Sequence, residues 1–362
     1  MSASRPRLRG LLAAAAVLAV WLTACSTGPT DASAQATSAS PASTATSAAA
    51  TDTFPVTIKH AFGETTIPAQ PTRVAAISWV NADIALALDV VPVGMSKEDW
   101  GANEHGSTPW KDAALAELGA PIGTQKAPKL YSELDGLPFN DIAAVDPDVI
   151  LAAYSGLTAE DYETLSKIAP VVAYPEIANG TPWQESTRMI GQALGKSAAA
   201  EKLVADTEAL IAEAAAEHPQ LQGKTFIYGS LNPGENGVLY LYTANDNTSR
   251  FLTSLGMTLA PVVTEAAKGS TSYYTEWSKE RANELASDVY VAWLADPKAG
   301  DQVKIDPLLS QIPAIKSGGL VIDSDATRGL ALLATNPLNI PYLLEGFVPM
   351  LAQAADATGT SK

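Results

Sequence analysis

Apolar residues in this chain come in short blocks, set apart by polar segments rich in Gly and Pro. From Phe54 onward, Phe54-Pro-Val-Thr-Ile58 and Thr65-Thr-Ile67 alternate apolar and polar positions around Gly63, which predicts a β-hairpin. The run Arg73–Ser78 predicts a buried strand, Asn81 stands as a plausible N-cap for a helix over 82–88, and Val90–Gly94 returns as a strand. A helix over Phe139–Val145, a strand over Asp148–Ala152, a helix over Thr158–Ile168 and a strand over Val171–Tyr174 continue the alternation. Strands alternating with helices of this length predict a parallel sheet covered on both faces.

The longest helical pattern runs over 183–217, bracketed by Pro182 and Pro219, with Gly191 and Gly195 as its weak points. At 1.5 Å per residue it would span about 50 Å, enough to join two bodies as a rigid spine. Beyond it the theme repeats. Strands are expected over 224–229, 238–242, 289–293 and 319–323, and helices over 248–255, 279–286 and 337–355.

The residues before Phe54 follow another pattern. Arg5, Arg7 and Arg9 precede an apolar run from Gly10 to Leu22, too short to span a bilayer but suited to an export signal. Leu22-Thr23-Ala24 then leads to Cys25, the only cysteine of the 362 residues. From Ser26 to Thr53 the chain is nearly all Ser, Thr, Ala, Pro and Gly, a composition expected to form a disordered tether. The expected organisation is a leader at 1–24, a tether at 25–53, lobes at 54–182 and 218–362, and a connecting helix at 183–217.

Charge narrows the partners. The chain carries a formal charge of −16, and without residues 1–24, which hold three arginines and no acids, it would carry −19. Such a surface repels nucleic acid and anionic lipid. With one cysteine there is no internal disulfide, so stability has to come from packed apolar cores.

The ending Leu22-Thr-Ala-Cys25 resembles the lipobox of bacterial lipoproteins, which implies a lipidated Cys25 holding the chain at the outer face of the cell membrane. Three further segments resemble periplasmic-type binding proteins for ferric siderophores, haem and cobalamin. They are Ile67-Pro-Ala-Gln-Pro-Thr-Arg-Val74, Phe139-Asn-Asp-Ile-Ala-Ala-Val-Asp-Pro-Asp-Val-Ile150, and Ser278-Lys-Glu-Arg281 through Ser287-Asp-Val-Tyr-Val291. Pro337-Leu-Asn-Ile-Pro341 is similar to the family's C-terminal element. Within the family the chain looks most like actinobacterial iron–siderophore lipoproteins. The resemblance implies an α/β fold of two Rossmann-like parallel-sheet lobes joined by one long rigid helix. It implies a monomer that captures a ferric siderophore carrying its own iron, with cobalamin or haem as alternatives, and delivers it to an ABC-transporter permease. In such proteins one surface glutamate per lobe meets the permease. Glu280 matches in the second lobe, whereas the first lobe has Asn140 at that position, leaving neighbouring Asp141 as a substitute.

Parallel α/β lobes bind ligands beyond the carboxyl ends of their strands. That rule selects Trp79, Tyr154, Arg250, Trp293 and Arg328, and Trp100 and Tyr274 join them from loop-like contexts. Aromatic walls supply contact area, and arginines supply charge-assisted hydrogen bonds to ligand oxygens. Only His60, His105 and His218 could offer imidazole to a bare metal, and they lie far apart in sequence, so no resident metal or cofactor is expected. No G-x-S-x-G, H-E-x-x-H, P-loop or strand-linked G-x-G-x-x-G motif is present, which argues against a tethered surface enzyme.

Overall fold

The computed structural model describes residues 52–233 and 237–359. The predicted leader, Cys25 and all but the last two tether residues lie outside the described residues. Of those two, Asp52 accepts a hydrogen bond from the Ser197 backbone N–H at 2.9 Å.

The first lobe opens with the antiparallel hairpin β1 (Val56–His60) and β2 (Gly63–Ile67), whose alternating burial puts Val56, Ile58, Thr65 and Ile67 inward. There follow β3 (Val74–Ala76), α1 (Ser78–Ala87), β4 (Gly94–Ser96), α2 (Pro109–Glu117), β5 (Lys129–Tyr131), α3 (Phe139–Ala144), β6 (Val149–Ala152), α4 (Ala159–Leu165) and β7 (Val171–Ala173). The five strands form a parallel sheet in the order β5-β4-β3-β6-β7. Every residue of β3, β4, β6 and β7 is buried, as expected of strands covered on both faces. Thr158 and Asp161 start α4 with a reciprocal capping box. Asn81 is not an N-cap: α1 begins three residues earlier, and Asn81 lies buried inside it.

The predicted single helix over 183–217 is two helices, α5 (Trp183–Ala193) and α6 (Ser197–Glu217). Gly195 adopts a left-handed φ of +69°, its N–H donates to Gln192 O at 3.2 Å, and Lys196 N–H donates to Gly191 O at 2.7 Å. This is a Schellman ending, which stops α5 and lets the chain reverse. The helices then pair side by side. Arg188 Nε meets Glu201 Oε1 at 2.9 Å and Gln184 Nε2 donates to Glu208 Oε1 at 3.2 Å. A Cβ on Gly191 would lie 2.3 Å from that of Ala200, so glycine is what permits this close approach. The connecting element is therefore α6 alone, 21 residues and roughly 30 Å long.

The second lobe contains β8 (Thr225–Tyr228), β9 (Val238–Tyr242), α7 (Asn247–Ser254), β10 (Thr258–Leu259), α8 (Pro261–Ala266), β11 (Tyr274–Ser278), β12 (Val289–Trp293), α9 (Ala299–Ile305), α10 (Pro313–Ser317), β13 (Leu320–Asp323), α11 (Ala326–Leu333), α12 (Ile340–Gly346) and α13 (Val348–Gly359). Its parallel sheet has the order β10-β8-β12-β13. The strand expected over 238–242 forms, but outside that sheet, pairing antiparallel with β11 so that Tyr242 faces Tyr274. Lys279–Glu284 is a 3-10 turn rather than an α-helix, and the closing helix breaks at Phe347.

The cores of the two lobes interlock. Leu330 of α11 and Ala334, just past its end, pack into the apolar cluster formed by Val80, Ile84 and Leu115 of the first lobe. Trp110 of α2 packs in return with Ile340, Leu343 and Phe347 of the second. Burying a side chain such as Leu330 contributes about 1.5–3 kcal/mol, so these reciprocal insertions fasten one lobe to the other.

Candidate ligand-binding cleft

Each strand of the first sheet delivers residues to one cavity of ≈ 320 Å³ at its carboxyl end. Ser78 and Trp79 follow β3, Ser96 and Lys97 end and follow β4, Glu133 and Leu134 follow β5, Tyr154 follows β6 and Asn179 follows β7. Asp99 and Trp100 complete the lining. Ser78 has a φ of +60°, unusual for a residue with a side chain, and its N–H is turned onto the Glu133 carboxylate at 3.0 and 3.2 Å. The Ser96 hydroxyl donates to the same carboxylate. Burial raises the Glu133 pKa above the ordinary carboxylate value despite these donors. Asn81 shapes this end without lining it. Its Nδ2 donates to Ile77 O at 2.6 Å and Tyr154 O at 2.8 Å, and its Oδ1 accepts from Tyr154 N–H at 3.1 Å. The loops after β3 and β6 are thereby tied together.

The second lobe presents a facing cavity of ≈ 340 Å³, lined by Tyr228, Gly229, Ser230, Asn232, Tyr242, Trp293, Gly329, Leu333 and again Trp100. Tyr228 and Tyr242 stack with ring centres 4.6 Å apart. Burial pushes the Tyr242 hydroxyl up to about 12, so it stays protonated and able to donate. Trp293 Nε1 is buried and has no hydrogen-bond partner among the described residues. An unpaired buried donor costs free energy until an acceptor arrives, so this N–H is suited to a ligand oxygen.

Trp100 belongs to the first lobe and walls both cavities. Its ring meets Trp293 edge to face, centres 5.0 Å apart at 82°. A hydrogen bond holds its loop across the gap. Thr327 Oγ1 donates to Gly101 O at 2.8 Å, and Gly329 leaves room for the two indoles. Nearby, Arg250 of α7 also crosses between lobes, donating through Nη1 to Gly180 O at 2.7 Å and to Asn247 Oδ1 at 3.3 Å.

Of the residues expected to bind ligand, Trp79, Trp100, Tyr154 and Trp293 line these two cavities. Three other expected residues line neither cavity. Arg250 bridges the lobes, and Tyr274 packs its ring edge-on against Tyr240 and Tyr273. Arg328 is drawn onto Asp323, Nε and Nη2 reaching the two carboxylate oxygens at 2.5 and 2.7 Å, because burial of Asp323 demands a partner. Glu133, Asn179, Tyr228 and Tyr242 were not anticipated. Their signal was position alone, since each ends or closely follows a strand. Among the described residues no group of three or more His, Cys, Asp or Glu converges to hold a metal.

Two lobes with strand ends facing across an aromatic cleft make a binding site for a small molecule. A family model for periplasmic binding proteins matches residues 74–326, most of the chain. The chain belongs to the periplasmic binding protein family. Its members bind solutes, and the protein is a binding protein rather than an enzyme. The structure of PiaA from Streptococcus pneumoniae in complex with ferrichrome is 36% identical, covering 83% of this chain and 99% of that one, with a TM-score of 0.77. A periplasmic solute binding protein from Mycobacterium smegmatis is 29% identical over 83% of this chain and 98% of its own, with a TM-score of 0.67. The probable siderophore-binding lipoprotein YfiY of Bacillus subtilis is 24% identical over 275 residues, 72% of this chain and 78% of its own.

The two residues expected to dock a permease are both on the binding protein's surface. Glu280 is exposed in the 3-10 turn after β11, and Asp141 of α3 pairs with Lys129 Nζ at 2.6 Å. No helix among the described residues is long and apolar enough to cross a membrane.

Proposed function

We propose that the protein captures a ferric siderophore in the inter-lobe cleft and hands it to an ABC-transporter permease for iron uptake. The observation that carries this reading is Trp100, contributed by one lobe and set against Trp293 of the other, so that a single aromatic wall runs across both cavities. A bulky complex with an apolar rim and outward oxygens fits such a wall, with Trp293 Nε1 and the Tyr242 hydroxyl as donors. The likeness to ferrichrome-bound PiaA supports the same reading, as does a second PiaA structure described as the substrate-binding protein of an iron uptake ABC transporter.

In this reading Cys25 carries a lipid that keeps the protein, as a monomer, at the outer face of the membrane. The Leu22-Thr23-Ala24-Cys25 sequence supports the anchor, and the description of YfiY as a lipoprotein agrees with it. Glu280 and Asp141 are the residues we assign to the permease contact.

Titration of the purified full chain with ferrichrome, haem and cobalamin, read as quenching of tryptophan fluorescence, tests the ligand. Ferrichrome is expected to quench with a Kd of about 1 μM or tighter. Quenching by haem or cobalamin with none by ferrichrome would overturn the assignment.

A further inference from the structure

Strand β9 and its partner β11 stand outside the parallel sheet of the second lobe, and their two faces differ. Leu239, Leu241 and Trp277 turn inward to the core of the lobe. The other face carries Val238, Tyr240 and Tyr242 of β9, paired across the ribbon with Ser278, Glu276 and Tyr274 of β11. Val238 and Tyr240 are exposed, and Glu276 is the one carboxylate on this face.

This face starts in the cleft. Tyr242 lines the cavity of the second lobe and stacks on Tyr228. Tyr273, whose carbonyl accepts from Thr243 N–H at 2.9 Å, lies close to both lobes' tyrosines. Its hydroxyl acts electrostatically on those of Tyr242 and of Tyr154 in the first lobe. The Tyr273 ring meets Tyr274 with centres 5.2 Å apart, and Tyr274 meets Tyr240 at 5.6 Å, both edge to face. Val238 continues the line beyond Tyr240 on the same side of β9. A row of apolar surface therefore leads from the ligand cavities out to solvent, unlike a scattered surface side chain.

The face is too small for a protein partner. Five rungs of a two-stranded ribbon cover about 17 Å by 10 Å, far below the roughly 800 Å² that each side of a stable protein interface buries. A narrow hydrocarbon chain fits it. We infer that this row is a subsite for an apolar arm carried by the ferric ligand, an acyl chain or comparable hydrocarbon, which leaves the cleft along Tyr242, Tyr240 and Val238. The iron-bearing head stays between the lobes against Trp100 and Trp293. The arm covers the tyrosine edges and Val238, taking apolar surface out of water on both partners.

This inference rests on the ferric-siderophore reading above, and a series of arms on one head separates the two. Ferrioxamine B acylated on its free amine with acetyl, hexanoyl or octanoyl keeps the same iron head and charge while the arm lengthens. The purified full chain is titrated with these three complexes and with ferrichrome, read as fluorescence quenching. One-sided cover of each methylene should gain about twofold per carbon, so octanoyl is expected to bind at least about tenfold tighter than acetyl. The double variant Val238→Thr/Tyr240→Thr keeps strand-forming residues at exposed positions. In it that gain should fall about threefold or more, with ferrichrome affinity unchanged. A wild-type gain below about tenfold overturns the arm subsite while leaving a siderophore receptor in place. Binding of ferrichrome with none of the acylated complexes does the same. A gain reduced by less than about threefold in the variant, or ferrichrome affinity falling as much, overturns the placement on β9. Binding of none of the four complexes overturns the siderophore reading itself, and the arm subsite with it.

Discussion

Asn336 Nδ2 donates to Asp83 Oδ2 at 2.9 Å, joining α1 of the first lobe to the turn before α12 of the second, 253 positions away. Asp83 also accepts from Trp110 Nε1 at 2.7 Å and lies 3.1 Å from Lys111 Nζ, which pairs in addition with Glu98. All of these residues are buried. Burial alone would lower the Lys111 pKa, but Asp83 and Glu98 together hold it above its ordinary value. Lys111→Met would leave two buried carboxylates facing each other, at a cost of about 3–5 kcal/mol. Asn336→Ala removes that neutral donor together with the bonds of its side chain to Ala334 O and from the Leu338 and Asn339 N–H groups, at about 2 kcal/mol in all, and leaves no buried charge without a partner. Urea unfolding of both variants checks the order. Equal losses would mean that the cation is not what secures the network.

Gly329 sets how closely α11 can approach the two indoles. An added Cβ would sit 2.8 Å from Trp293 Cδ1 and 2.9 Å from Trp100 Cη2, inside the contact distance of both indoles. The residue is helical, so alanine suits the backbone, and the helix itself gains up to about 1 kcal/mol. Gly329→Ala should therefore leave the melting temperature nearly unchanged while weakening ferrichrome binding about tenfold, or about 1.4 kcal/mol. Calorimetric melting beside a fluorescence titration separates the two effects. Retained affinity would remove the indole pair from the binding surface.

The architecture was legible because buried parallel strands leave continuous apolar runs, as Val74–Ala76 and Val149–Ala152 do. Trp79, Tyr154 and Trp293, which line the cavities, were singled out by position alone, at the carboxyl ends of such strands. Glu133 escaped because β5 is three residues long, with Lys129 exposed and only Tyr131 buried, so no apolar run announced it. Tyr228 and Tyr242 hold the same strand-end position as Trp293 and escaped because sequence does not tell which face of the sheet a strand-end side chain takes. The carboxyl-end rule drew attention to Arg328, whereas its capture by Asp323 depends on a geometry that only folding creates. Gly195 was visible as a weak point in a helical pattern. That it would end one helix and begin an antiparallel partner depended on α5 finding α1 and β1 to pack against.

Gly195 gives a test of that chain reversal. At a φ of +69°, a side chain costs about 1–2 kcal/mol in backbone strain, and a Cβ would also lie 2.9 Å from the Phe54 ring. Gly195→Ala is expected to lower unfolding stability by about 2 kcal/mol. Gly191→Ala should lose at least as much, because its Cβ would overlap that of Ala200. Chemical denaturation of the pair checks this, and a neutral Gly195→Ala would mean that the turn tolerates a different backbone.

Asp246 caps α7, accepting from Ser249 N–H at 3.0 Å, yet burial pushes its carboxyl pKa up to about 7 from 3.8, against the pull of the Ser249 N–H and Arg250. Between about pH 4 and 7 the folded protein holds this proton and the unfolded chain does not, so the contribution of Asp246 to stability is complete below the lower value and is lost as pH rises toward the upper one. An Asp246→Asn variant keeps the cap and cannot titrate. The stability of wild type relative to this variant should fall by about 1 kcal/mol per pH unit across that window and level off above about pH 7. Guanidinium unfolding of both proteins from pH 4 to pH 8 provides the measurement. A difference that grows with pH would require the carboxylate to be stabilised in the fold, with Arg250 and the helix N-terminus outweighing its burial.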